Sequence, residues 1–242
     1  MNKNRKRERR YKFILFDCME TLIDLDPAPG LADYARWTYE GSGLEEAWTG
    51  LDEFTAAFAK ARRAMESPGP AHREEDFTDR LFLACRANPR LRALGAAPRS
   101  VAERLTRNFM KAYRARSFVH GDAHRAIPRL ADRYNLGVVS NFKVRRGIEE
   151  LLAEHDLEGF FKVIVTSIVF GFRKPHPDIY RAALRRCACA PGDVLFVGDD
   201  PRCDYRMPRK MGMHAVLLDR RGVHPVGYDR VRNFDELVHR LI

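Results

Sequence analysis

Five short apolar runs set the rhythm of this chain. They are YKFILFD (11–17), LGVVS (136–140), KVIVT (162–166), DVLFVGD (193–199) and HAVLL (214–218). Each is almost continuously apolar rather than alternating, which is the pattern of a strand covered on both faces, as in a parallel sheet. Between the later runs lie segments with helical spacing: VRRGIEELLAEHDL, PDIYRAALRRCA and DYRMPRKMG. Strands alternating with helices predict right-handed βαβ crossovers. The fold class expected is therefore α/β, a Rossmann-like parallel sheet with helices on both faces. Ligands of such sheets bind beyond the carboxyl ends of the strands. Asp17, Ser140, Thr166 and Asp199 all fall at such ends.

Residues 27–118 follow a different pattern. No strand is expected there. Four amphipathic stretches predict helices instead: LADYARWTYEG, LDEFTAAFAKARRAME, EEDFTDRLFLACRA and SVAERLTRNFMKAYRA. Pro and Gly interrupt them at 27–30, 66–72 and 88–100. The division expected is a basic tail (1–10), an α/β core (11–26 and 119–242) and an inserted helical domain (27–118). The last segment, NFDELVHRLI, predicts a closing helix with Asn233 as its N-cap.

Length and charge narrow the picture. The 242 residues are enough for one core and an inserted domain. No apolar run approaches the ~18 residues of a membrane span, and no secretory pattern follows the basic start. A cytoplasmic protein is expected. The five cysteines are odd in number, scattered and without a CxxC pair, so reduced thiols are expected rather than disulfides or structural zinc. Cys187 and Cys189 fall in a predicted helix, where they do not face one another. The net charge is +10, of which residues 1–12 carry +6. A solvated tail accounts for that cluster. An arm for nucleic acid is the alternative, but no zinc-finger spacing or RNA-binding aromatic motif supports it.

Four pieces stand in one order: FILFDCMETLID, LGVVSNF, GFRKPHPDIY and VLFVGDDPRCD. Together they resemble the four motifs of the haloacid dehalogenase (HAD) superfamily of aspartate-nucleophile hydrolases. The resemblance covers roughly 11–26 and 120–220, and the helical segment matches that family's cap by position and type. It implies Asp17 as nucleophile, forming an aspartyl-phosphate. It implies Ser140 as a phosphoryl-binding hydroxyl with Asn141 and Thr21 beside it. Lys174 would be the fixed cation that neutralises Asp17 and the transferring group. Asp17, the backbone carbonyl of Met19, Asp199 and Asp204 would form a hard oxygen site for Mg²⁺. Asp200 falls where the family varies, and Gly198 lets the backbone pass close to the site. Asp204 has a plainer alternative as the N-cap of the next helix.

The first motif departs from the phosphatase pattern Asp-x-Asp-Gly-Thr. Met19 replaces the acid that protonates the leaving group, a loss typically worth about 10²–10⁴ in rate. Glu20 replaces the glycine, and either alters the turn or stands in as the acid. The reading favoured is a Mg²⁺-dependent phosphatase acting on a small anionic substrate. The alternatives are a catalytically weak protein that binds a phosphorylated ligand, and a dehalogenase-like hydrolase acting at carbon. A Schiff-base branch of the family needs a cap lysine, and the segment offers only Lys60 and Lys111. The cap arginines, among them Arg62, Arg63 and Arg114, either meet an anionic substrate or face solvent.

Overall fold

The computed structural model describes residues 10–65 and 71–242. The basic tail therefore lies almost wholly outside the described residues, as does most of the 66–72 break. The sheet has six strands, all parallel. In chain order the strands are β1 (Phe13–Phe16), β4 (Asn135–Ser140), β5 (Phe161–Thr166), β6 (Val194–Gly198), β7 (His214–Leu218) and β8 (Arg230–Val231). Two further two-residue strands, β2 (Asp24–Leu25) and β3 (Ser117–Phe118), pair antiparallel by themselves. The order across the large sheet is β5-β4-β1-β6-β7-β8. All five apolar runs form strands, and β1, β4 and β6 are buried almost throughout because neighbours cover both faces.

β1 is the hinge of this order. From β1 the chain goes to one side of the sheet for β4 and β5, then crosses back for β6 to β8. Phe16 at the end of β1 lies level with Val138 of β4 and Val197 of β6. The residues that follow these three strands are therefore forced together at a topological switch point.

The helices that cover the sheet are α6 (Gly121–Ala131), α7 (Gly147–Glu154), α8 (Ser167–Phe170), α9 (Pro177–Cys187), α10 (Met207–Lys210) and α11 (Phe234–Leu241). Asn233 caps α11 by accepting the Glu236 amide at 2.8 Å. The segment DYRMPRKMG is less regular than a single helix. Pro201–Arg206 is one π-helical turn, and α10 follows it. Nor does one helix hold both Cys187 and Cys189. α9 ends at Cys187, Ala188 takes the left-handed conformation at φ +49°, and Cys189 lies beyond.

The long middle segment is helical: α1 (Leu31–Tyr39), α2 (Leu51–Met65), α3 (Phe77–Ala87), α4 (Pro89–Ala93) and α5 (Pro98–Arg114). One feature departs from the helical expectation. Ser117–Phe118 is a strand, because it pairs with Asp24–Leu25 where the chain enters and leaves the helical layer. Two residues carry no periodicity, so the pairing is invisible in sequence. The helical layer is glued by aromatic contacts, among them Phe77–Phe109 (4.4 Å) and Tyr39–Phe54 (5.3 Å). Tyr113 of α5 meets Phe142 of the core edge-on at 5.5 Å, so one apolar cluster runs from the layer into the sheet. Backbone bonds lock the same junction: Glu74 donates to Gly171 (2.9 Å), Arg173 to His72 (2.8 Å) and Phe77 to Lys143 (3.0 Å). Among the described residues no helix is long and apolar enough to cross a membrane.

Candidate active site

The carboxyl ends of β1, β4 and β6 deliver Asp17, Ser140 and Asp199 to one place. Asp17 follows β1 directly, and its amide donates to the Val197 carbonyl at 2.9 Å. Its carboxylate accepts the Cys18 amide at 2.7 Å. The chain then turns sharply: the amides of Leu22 and Ile23 both reach back to the Cys18 carbonyl (2.8 and 2.9 Å), and Glu20 donates to Ile23. Glu20 sits at φ +62°, the left-handed region that favours glycine. Holding a glutamate there costs roughly 1–2 kcal/mol. The turn expected of glycine is thus made without it, and the Glu20 side chain faces the cavity above the site.

Lys174 is almost wholly buried, at 2% exposure, and its ammonium lies 2.8 Å from both Asp17 and Asp204. Burial alone would push this amine down, but the two carboxylates outweigh it and hold the ammonium above the ordinary lysine value. Asn141 fixes the lysine's peptide by accepting from its amide (2.6 Å) and donating to its carbonyl (3.1 Å). Asn141 also borders the cavity, and this bracing uses one of its two amide N–H groups. Thr21 also differs from expectation. It is fully buried, and its hydroxyl donates to Asp199 at 3.0 Å, so it orients an acid instead of meeting a ligand. Ser140 is the reverse case: its hydroxyl is buried with no hydrogen-bond partner among the described residues. A buried unsatisfied hydroxyl is costly, and a phosphoryl oxygen is the kind of partner that would satisfy it.

Asp204 is fully buried inside the π-helical turn and is not that turn's N-cap. Asp200 fills that role by accepting from Arg202 (2.6 Å) and Cys203 (2.8 Å). Gly198 is required because a Cβ there would lie 2.5 Å from the Asp204 carboxyl. Carboxylate atoms of Asp17, Asp199 and Asp204 lie within 4.8 Å of one another. Asp17 and Asp204 share one ammonium and Asp199 lies beside them, so the cluster carries excess negative charge in a poorly solvated place. Burial first, then Asp17 and Glu20, push the Asp199 carboxyl up to about 7. Burial drives Asp204 upward too, against the pull of Lys174. Clustered carboxylate oxygens short of positive charge are the donor set a hard divalent cation such as Mg²⁺ prefers. Among the described residues no backbone hydrogen bond ends on the Met19 carbonyl, which leaves that oxygen open for the same ion.

The sign of the pH effect follows. An acid raised from its ordinary value near 4 to about 7 makes the metal-free fold lose stability as pH climbs between those values. Cation binding needs the carboxylate, so affinity rises over the same window. Mg²⁺ at about 100 times its dissociation constant is expected to stabilise by about 2.7 kcal/mol at pH 8. At pH 6 the proton held by Asp199 competes with the ion, so the stabilisation is expected to be smaller. Thermal melting with Mg²⁺ against a chelator at the two pH values checks this. An equal Mg²⁺ effect at both would remove Asp199 from the site.

Above these residues, between strand ends and helical layer, is a cavity of about 1180 Å³. Met19, Glu20, Asp199 and Asn141 border it from below, and Arg62 of α2 and Tyr113 of α5 from above. Of the helical-layer cations singled out in sequence, Arg62 reaches this space. Arg114 instead pairs with Glu150 and Glu154 of α7, tying layer to core. Arg63, Lys60 and Lys111 are not among the residues that line it, and the two lysines are exposed. Cavity residues that sequence spacing does not single out include Lys143, Arg80, Arg173 and Glu74. Arg173 adjoins Lys174 within the third motif piece, and the other three come from separate segments with no motif of their own. Cys18 is fully buried, and burial raises its thiol well above the ordinary value, so it packs rather than reacts.

Comparison with known proteins gives concordant matches. A family model described as hydrolase, haloacid dehalogenase-like hydrolase, matches residues 11–212. Haloacid dehalogenase-like hydrolase domain-containing protein 3 of Mus musculus is 40% identical over 83 residues, 34% of this chain and 32% of that protein. The glyceraldehyde 3-phosphate phosphatase of Methanothermobacter thermautotrophicus is 36% identical over 86 residues, 36% of this chain and 38% of that one. The matched stretch thus spans about a third of these curated relatives. Among solved structures, a 2-haloacid dehalogenase from Pseudomonas syringae superposes with TM-score 0.69 at 18% identity, covering 95% of this chain and 97% of the other. A HAD phosphatase from Thermococcus onnurineus gives TM-score 0.63 at 21% identity, with the same coverage. Both names occur on one fold, so the fold alone does not choose between the chemistries.

Proposed function

The chain belongs to the haloacid dehalogenase-like hydrolase family, and from that premise we propose that it is a Mg²⁺-dependent phosphatase for small phosphorylated substrates, with residues 27–118 serving as the cap over the site. The observation that carries this reading is the close cluster of Asp17, Asp199 and Asp204, with the Lys174 ammonium 2.8 Å from Asp17 and from Asp204. A dehalogenase releasing halide has no need of three acids drawn together. A phosphatase must hold a dianionic group against a carboxylate nucleophile, and needs positive charge to do so.

In this reading Asp17 attacks phosphorus, the bond to the leaving oxygen breaks, and an aspartyl-phosphate remains for water to cleave. Mg²⁺, when bound, supplies positive charge that lets phosphate approach the nucleophile. Lys174 holds the Asp17 carboxylate in place and neutralises part of the charge on the transferring group. Asn141 keeps the lysine's peptide from shifting, and Thr21 fixes the orientation of Asp199. Ser140 donates its unpartnered hydroxyl to a phosphoryl oxygen.

Met19 lines the cavity where a proton donor is needed and cannot supply one. Substrates whose leaving groups depart as stable anions are therefore favoured. Met19→Asp is expected to raise turnover of an alkyl phosphate by about 10²-fold and to change an aryl phosphate far less. Phosphate release assays on the two substrates check it, and no gain on the alkyl phosphate in a well-folded variant would count against a phosphatase. The primary test is hydrolysis of an aryl phosphate, an acyl phosphate and a haloacid, each with Mg²⁺ and with a chelator. Metal-dependent phosphate release supports the reading. Halide release without metal would replace it with carbon-directed hydrolysis. Binding of phosphate without turnover on any member would favour the ligand-binding alternative that the absence of an acid at position 19 raises.

A further inference from the structure

The lining of the cavity carries more positive charge than the reaction described above uses. Lys143 stands three residues beyond Ser140, on the loop that follows β4, and its side chain is half-buried where it lines the cavity. Its backbone is held firmly, because its carbonyl accepts from Phe77 at the start of α3. Phe142 beside it donates its amide to Ser167 at 2.9 Å and packs on Tyr113. The lysine's position is therefore fixed by both layers at once. No carboxylate among the described residues lies within ion-pair distance of its ammonium.

The groups around it do not offer compensation. Arg80 is nearby, buried over the rings of Phe58 and Phe77, and pairs with Glu75 at 3.2 Å. Arg173 approaches from the loop that carries Lys174, and lines the same cavity. Glu74 is the buried acid among them, and its oxygens are taken by the Ser167 hydroxyl and the Glu75 amide. Burial, with Arg80 and Arg173 adding to it and Glu74 and Glu75 opposing, holds the Lys143 amine below its ordinary value. A desolvated cation beside two others, facing open space, is stabilised by an anion entering that space.

We propose that Lys143, with Arg173, forms a second anion subsite that grips a carboxylate or phosphate at the far end of the substrate from the group held at Asp17. The proposal rests on the reading of the Asp17 end as a phosphoryl site. It restricts the substrate class to small molecules with two anionic ends, and gives the enzyme its selectivity through a charge that the reacting end does not need.

Three non-hydrolysable probes separate the possibilities: propylphosphonate, with one anionic end; 3-phosphonopropionate, with a carboxylate at the other; and propane-1,3-bisphosphonate, with a second phosphonate. Calorimetric titration in the presence of Mg²⁺ is expected to show one of the two double-ended probes binding about 10- to 100-fold more tightly than propylphosphonate. Whichever wins identifies the distal group as carboxylate or phosphate. In Lys143→Met that preference should vanish, and in Lys143→Arg it should largely persist, with melting temperatures showing that both variants are folded. A wild type that binds all three alike, or a preference that survives in Lys143→Met, overturns the subsite. Either result, obtained while propylphosphonate still binds, leaves the phosphatase reading standing. A Lys143-dependent preference in a protein that hydrolyses no phosphate ester would instead remove the phosphatase reading and keep the subsite as part of a binding protein.

Discussion

Asp17→Asn is expected to lower phosphate release from an aryl phosphate by at least ~10³-fold while the protein melts no lower than wild type. The amide keeps the shape of the carboxylate, so the turn from Asp17 to Ile23 has no reason to open. It cannot attack phosphorus as a carboxylate does, and it removes one of three crowded negative charges. Lys174 still has Asp204 at 2.8 Å, so no buried charge is stranded. Relief of repulsion at Asp199, whose carboxyl Asp17 helps to raise, should bring that acid down towards its ordinary value. The two measurements are turnover and a melting curve in chelator. Activity that survives the substitution would remove Asp17 as nucleophile. A large drop in melting temperature would mean the residue mainly holds the turn together.

Lys174→Met should act in the opposite sense on stability and in the same sense on activity. The methionine fills the space against Phe196, whose ring lies 5.5 Å from the ammonium. It leaves Asp17 and Asp204 without their shared cation. Breaking a buried pair by removing one partner typically costs about 3–5 kcal/mol. The loss is expected to depend on pH. At pH 8 Asp204 must stay charged or take up a proton from a scarce supply, and the penalty is largest. Near pH 5 protonation of Asp204, whose carboxyl burial raises, relieves it. Denaturant unfolding of variant and wild type at both values, in chelator, checks the sign. A penalty independent of pH would show that the lysine acts by packing. Turnover should fall by about 10³-fold or more even where the fold survives, because fixed positive charge is the main source of stabilisation in phosphoryl transfer.

The sheet was legible because its signal is local and strong. A buried parallel strand must be apolar at nearly every position, and all five runs that met that condition became strands. The acids at their ends stood out for the same reason: a charge closing an apolar run is conspicuous. The two-residue ribbon of β2 and β3 left no such trace, since its pairing joins residues more than ninety positions apart. The break between Cys187 and Cys189 was hidden by a helix-forming sequence, ALRRCACA, whose end is set by Ala188 adopting a left-handed conformation. Asp200 and Asp204 are four residues apart in one acidic motif. Only burial under Lys174 and the close approach to Gly198 separate the cap from the cluster acid.

What the sequence by itself determined is the order of five of the six strands of the large sheet and the presence of a helical segment, and motif order along the chain grouped Asp17, Ser140, Lys174, Asp199 and Asp204 as a candidate set. What the tertiary structure decided is how the set is used. It made Thr21 and Asn141 braces for Asp199 and Lys174. Among the described residues it left the Ser140 hydroxyl without a partner, and it drew three carboxylates together, two of them on one ammonium. It also gathered Lys143, Arg80 and Arg173 from a loop, a helix and another loop into the lining of one cavity. Apolar periodicity and strand-end acids are short-range properties of the chain, whereas the sign and crowding of charge in a closed space depend on residues that only folding brings together.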